Sequence, residues 1–140
     1  MKYLVDTNVL SEIRKPQRSR AVKEVIAAID EDDLFLSVIS IGEIAKGIAK
    51  LNPGRKRREL ERWLSQTQQN FADRLLAIDR DVAQLWGELT ARVAMKGRVL
   101  HAADGLVAAT ALRHGLRLMT RNVSDLEFTG VLVLNPWEEG

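Results

Sequence analysis

The sequence predicts an α/β protein with a central, mostly parallel, twisted sheet of four to five strands and helices on both faces. Two observations point there. Short unbroken apolar runs recur along the chain, and between them lie longer stretches whose apolar residues repeat at helical spacing. Unbroken apolar runs suit strands buried on both faces, and their alternation with helices is the pattern of parallel crossovers.

The runs are Lys2 to Val5, Leu34 to Ile39, Leu75 to Ile78, Leu116 to Thr120 and Val131 to Leu134, the last following Gly130 and expected at the sheet's edge. Helical spacing links Ala21, Val22, Val25, Ile26 and Ile29, and, after the Asn52-Pro53-Gly54 turn, Leu60, Trp63 and Leu64. It recurs in Val82, Leu85, Trp86, Leu89 and Val93, between Asp79 as a starting cap and Gly97 as a stop. Ala102 to His114 is almost wholly small and apolar and ends at Gly115, as a helix buried against a sheet would. With no repeat, low-complexity tract or long linker, one domain over residues 1–140 is expected.

Composition narrows the chemistry. The absence of cysteine excludes a disulfide framework, thiolate zinc sites and cysteine nucleophiles, and fits a cytoplasmic chain. No apolar run approaches the roughly 20 residues of a membrane helix, and the N-terminal segment lacks the apolar region of a secretory leader. A soluble protein that makes no use of a membrane is expected. The net charge is only +2, but the basic residues crowd into Arg14 to Lys23 and Arg55 to Arg62. A solvated helix face explains such clusters by itself. Beside a phosphodiester chemistry, Arg14, Arg55, Lys56 and Arg58 become candidate RNA contacts.

In open α/β sheets ligands bind beyond the carboxyl ends of the strands, and the residues there are largely acidic. Asp6 directly follows the first run and opens Asp-Thr-Asn. An isolated Asp there is commonly a helix cap, and Thr7 and Asn8 can serve free backbone donors too. Glu43 follows the second run in Ser40-Ile41-Gly42-Glu43, the spacing of a capping box. Asp104 lies in an apolar helix with no lysine or arginine within a turn, where a buried unpaired carboxylate costs several kcal/mol. Three such acids at about 4 Å would repel by on the order of 4 kcal/mol per pair at an effective dielectric of 20. A divalent cation reverses that sign. All-oxygen donors suit Mg²⁺ or Mn²⁺ over zinc, and point to phosphodiester hydrolysis. Thr120, Asn122, Ser124 and Asp125 follow the fourth run as an outer set, or as a polar loop capping a turn. His101 and His114 do not suggest two-histidine chemistry, and His114 complements a helix C-terminus.

Taken in order, Leu4-Val5-Asp6-Thr7-Asn8, Ser40-Ile41-Gly42-Glu43, Asp104-Gly105-Leu106-Val107-Ala108 and Thr120-Arg121-Asn122-Val123-Ser124-Asp125 resemble the PIN-domain ribonucleases, specifically VapC-type toxins and their FitB-like relatives. The resemblance spans essentially the whole chain, through Leu134-Asn135-Pro136-Trp137. It implies a PIN-like fold and a Mg²⁺-dependent endoribonuclease toxin, with Mn²⁺ able to substitute. It also implies a cognate antitoxin whose tail occupies the active-site groove, homodimers, and hetero-oligomers that reach operator DNA through the antitoxin. The metal ligands carry over onto Asp6 and Asp104, with Glu43 as third acid and Thr7, Asn8 and Thr120 in support. Relatives often place a fourth acid where Asn122 stands, so Asp125 is the substitute catalytic candidate, and Leu126 replaces a common Phe. Many such toxins cut structured RNA, including tRNA.

Rival enzymes fit less well. A phospho-accepting receiver needs a lysine after a late strand, yet the last lysine is Lys96. A haloacid-dehalogenase-like phosphatase needs Asp where Asn8 stands, and a dinucleotide or P-loop binder needs glycines absent from Asp6 to Arg14. A non-catalytic module that only binds nucleic acid or a partner stays open.

Overall fold

The computed structural model describes residues 1–138, so the last two positions of the expected domain, 139 and 140, lie outside the described residues. Five strands, β1 (Tyr3–Val5), β2 (Leu34–Ser37), β3 (Leu75–Leu76), β4 (Arg117–Met119) and β5 (Val133–Leu134), form one sheet in the order β3-β2-β1-β4-β5. Every pairing is parallel, so the expected mostly parallel sheet is wholly so. Each strand lies inside its predicted run but is shorter, because pairing ends where the chain turns into a helix or loop.

The helices are α1 (Thr7–Arg14), α2 (Arg20–Ala27), α3 (Val38–Ala49), α4 (Arg55–Phe71), α5 (Arg80–Met95) and α6 (Ala102–His114). None is long and apolar enough to cross a membrane among the described residues. Alternation along the strands sends their residues to opposite faces. Val5, Leu36 and Met119 pack with Val9, Leu10, Val22, Ile44 and Ile48 of α1, α2 and α3, and Trp63 and Leu64 of α4 lie against them. On the other face, Leu4 and Leu118 meet Val107, Ala108 and Ala111 of α6. A third cluster, Val82, Leu89, Val93, Leu100 and Ala109, holds α5 to α6.

The expected capping box at Ser40 and Glu43 is overturned. The run Leu34 to Ile39 is split, because the chain bends at Ser37, whose Oγ accepts the Ile39 amide at 3.0 Å and caps α3. Helix α3 therefore starts at Val38, ahead of Ser40, and Ser40 and Glu43 stand inside it. At i and i+3 they share one face of the helix.

Strand order places the site. The chain passes from β1 outward to β2 and β3, then returns to lay β4 and β5 on the other side of β1. The reversal lies between β1 and β4, and the crevice beyond their carboxyl ends is where such sheets bind ligands. Asp6 and Thr120 flank it.

Helix α6, which carries Asp104, approaches α5 closely through Gly105. A Cβ there would stand 2.8 Å from Trp86 Cδ1 and 3.0 Å from Nε1. Gly105→Ala gains about 1 kcal/mol of helix propensity but overpacks this contact, typically by about 1–3 kcal/mol. A net loss of stability is expected, and thermal denaturation of the variant against the parent measures it.

Candidate metal centre

Asp6 accepts more hydrogen bonds than any other acid of the cluster. It sits one residue past β1, is 6% exposed, and caps α1 through Oδ1, which accepts the Thr7 amide at 2.8 Å. Its Oδ2 accepts the Thr120 hydroxyl at 2.7 Å and, at 3.4 Å, Asn8 Nδ2. The cap expected from sequence and the candidate ligand are thus one side chain. Capping uses one lone pair, and a carboxylate offers about four.

Thr120 is fully buried and fully engaged. Besides donating to Asp6, its Oγ1 accepts Asn8 Nδ2 at 3.2 Å and the Asn122 backbone amide at 3.1 Å. Asn8 closes the frame from the other side, its Oδ1 accepting the Arg121 amide at 3.3 Å. The sequence placed Asn122 as a possible outer ligand, but its bond in this frame is made by the backbone amide. The tie between the two strand ends is thus built from Asp6, Asn8 and Thr120.

Glu43 reaches the site through Thr7. Thr7 Oγ1 lies 2.6 Å from Glu43 Oε1 and 2.8 Å from Ser40 Oγ. With one hydroxyl hydrogen it gives that proton to the charged acceptor and receives Ser40's. Sequence reasoning took Ser40 for a cap and missed this buried hydroxyl, although its i,i+3 spacing from Glu43 was a usable signal. Glu43 itself is exposed.

Asp104 stands in the first turn of α6. It is half-buried, where the sequence led us to expect burial, because the small residues that follow it take the inner face of the helix. Burial pushes its carboxyl above the usual carboxylate range, reinforced by the charges of Asp6, Asp125 and Glu43 and opposed by His101. Burial likewise raises Asp6, against the bonds from Thr120 and Thr7 and together with the charge of Glu43. Asp104 therefore lies within electrostatic reach of the other three predicted acids, and Asp6 of Glu43. Asp125 is exposed, in a single 3₁₀ turn, Ser124–Leu126.

This surplus of negative charge is what a hard dication relieves, and the donors are all oxygens. Among the described residues, however, no three such side chains already stand at metal-holding distances. That suits an ion held by one or two carboxylates and completed by water and substrate, as Mg²⁺ commonly is.

Of the predicted RNA contacts, Arg14 lies closest to this cluster. It lines a groove of about 300 Å³ with Thr7, Ser11, Glu43 and Trp63, its guanidinium 5.8 Å from the Trp63 ring. Arg55, Lys56 and Arg58 are exposed in the first turn of α4 and do not line that groove.

Comparison with known proteins gives the family and the fold. The family profile described as PIN domain matches residues 3–126. The chain belongs to the PIN domain family. This PIN domain is 36% identical over 136 residues to VapC ribonuclease Y4jK of Sinorhizobium fredii, covering 96% of this chain and 97% of that protein. It is 35% identical over 137 residues to toxin FitB of Neisseria gonorrhoeae, covering 97% and 99%. Among solved structures, FitAB bound to an IR36 DNA fragment superposes with a TM-score of 0.91 at 33% identity, over 99% of this chain and 97% of that one.

Because the folded-state carboxyl of Asp104 is raised, its ionised form opposes folding above that raised value. The metal-free Asp104→Asn variant should therefore melt above the parent at neutral pH. Its advantage should shrink as pH falls and the parent's carboxyl takes up its proton. Paired melting curves from pH 7 down to pH 4 check the sign.

Proposed function

We propose that this chain is a single-domain, divalent-metal-dependent endoribonuclease that acts as the toxin of a toxin–antitoxin pair. The observation that bears most weight is the buried Asp6 carboxylate just past β1, both its oxygens fixed by the Thr7 amide and the Thr120 hydroxyl, beside an Asp104 raised by burial and by the charges of Asp6, Asp125 and Glu43. Family membership and the names of its relatives supply the chemistry, and the acidic cluster supplies a place for it.

Asp6 and Asp104 would hold Mg²⁺ or Mn²⁺, with Glu43 as the third acid. A bound dication polarises a phosphoryl oxygen and lowers the pKa of the attacking water. Around it, the protein's own groups orient the donors. Thr120 and the Thr7 amide fix both oxygens of Asp6, Asn8 locks Thr120, and the Ser40–Thr7 pair aims Glu43. Asp125 lies near Asp104 as a further proton acceptor for water at the rim. The substrate is RNA, with structured RNA such as tRNA favoured. Arg14 beside the groove would meet phosphates, and Arg55, Lys56 and Arg58 would add weaker, more distant contacts. A homodimer, a neutralising antitoxin, and operator DNA reached only through it complete the proposal. They rest on the resemblance and on the relatives' names.

Cleavage of labelled RNA with and without Mg²⁺ tests the proposal. Asp6→Asn and Asp104→Asn should abolish metal-dependent cleavage while the fold persists by circular dichroism, and cleavage retained in either variant would sink the metal site. Thr120→Val removes an orienting group only, so a loss of about 10–100-fold in metal affinity or rate is expected.

Charge reversal of Arg55, Lys56 and Arg58 should weaken RNA binding and flatten its salt dependence. A slope equal to the parent's would return those residues to solvated surface.

A further inference from the structure

Beside the acidic frame stands a cation that the proposed chemistry leaves unused. Arg121 follows Thr120 directly, and its backbone amide is held by Asn8, whose side chain also bonds Thr120. Its guanidinium carbon lies 3.9 Å from the centroid of the Trp137 ring. Among the described residues the other cation–ring distances run from 5.0 to 5.8 Å, so this one alone is at van der Waals contact with its ring. The pair exists because β4 and β5 are neighbours, with Met119 in register with Leu134. Both residues then fall just beyond the carboxyl ends of their strands. Trp137 is half-buried against the core, and its amide donates to Asn135 Oδ1 at 3.0 Å, which fixes the loop.

Arg121 itself is exposed. No carboxylate of the described residues pairs with it within 4.0 Å. Glu12, whose carboxyl it helps hold below the usual range, is already bonded by the Ser19 amide at 2.7 Å and Lys15 Nζ at 3.4 Å. What remains is a fork of donors in contact with the indole, on a residue whose backbone is tied to the acidic frame through Asn8. A planar guanidinium matches two phosphate oxygens at once, which an ammonium does not.

We propose that Arg121, held against Trp137, is a substrate-binding residue that clamps an RNA backbone phosphate adjoining the acidic cluster. The assignment rests on the ribonuclease reading for its substrate. RNA is favoured over an acidic protein segment because Arg121 follows Thr120 directly and its backbone is tied to the acidic frame through Asn8, so a strand bound there runs next to the candidate reaction centre. A polyanion entering among carboxylates needs a fixed cation there.

The test titrates full-length protein in EDTA with a fluorescein-labelled single-stranded RNA oligonucleotide over a salt series, followed by anisotropy. Arg121→Ala should weaken binding about tenfold and reduce the salt slope by about 0.7, the loss of one single-strand phosphate contact. Arg121→Lys should restore the slope but not the affinity. Trp137→Ala should weaken binding at an unchanged slope, and Trp137→Phe serves if the alanine variant does not fold. Arg113→Ala, at the opposite end of α6 from Asp104, should match the parent. Parental affinity and slope in Arg121→Ala would overturn the clamp. So would parental RNA binding with lost binding to poly-glutamate, which assigns the fork to an acidic protein partner. Cleavage in Mg²⁺ separates the two readings. A parent that cuts RNA while Arg121→Ala binds unchanged defeats the clamp alone, and one that binds but never cuts defeats the ribonuclease alone. A parent that binds no RNA defeats both.

Discussion

The 2.7 Å hydrogen bond from Thr120 Oγ1 to Asp6 Oδ2 is the contact on which the candidate centre depends. It joins the ends of two neighbouring strands at the point where the strand order reverses. A hydrogen bond to a buried charge contributes about 1.5–3 kcal/mol, and here it offsets part of the desolvation that Asp6 suffers. Its larger effect is geometric. With one oxygen bonded to Thr120 and the other capping α1, the Asp6 carboxylate has a single orientation before any ligand arrives.

The acids around it work against the fold. Asp6 and Asp104 are both raised by burial and by their neighbours' charge, which is energy stored in the apo protein. The parallel sheet and the three apolar clusters around it tolerate this strain because the acids lie at its rim. Such local conflict is expected where function overrides packing. The α5–α6 contact through Gly105 and Trp86 serves the same end, seating the helix that carries Asp104.

Much of this was legible in the sequence. Five apolar runs marked five strands, the rule that ligands sit past strand ends singled out Asp6, Glu43 and Thr120, and the apolar, cation-free surroundings of Asp104 singled out that acid. Boundaries were less legible. Val38 and Ile39 read as strand because they are β-branched and apolar, yet Ser37 captures the turn and they begin a helix. The role of Ser40 was hidden by its match to a capping box. The Arg121–Trp137 stack was hidden by distance along the chain, since only the adjacency of β4 and β5 brings the two together.

An all-parallel sheet has no hairpins, and this has a bearing on the protein's birth. Strand β1 leaves the ribosome well before its partner β4 and the hydroxyl of Thr120, which lies 114 residues beyond Asp6. Until then Asp6 lacks the donor that orients it, and α6, which carries Asp104, lacks Leu118 of the strand it packs on. A chain that has not reached Thr120 therefore cannot assemble the acidic frame, and the cell that makes it meets the complete centre only after that residue has emerged.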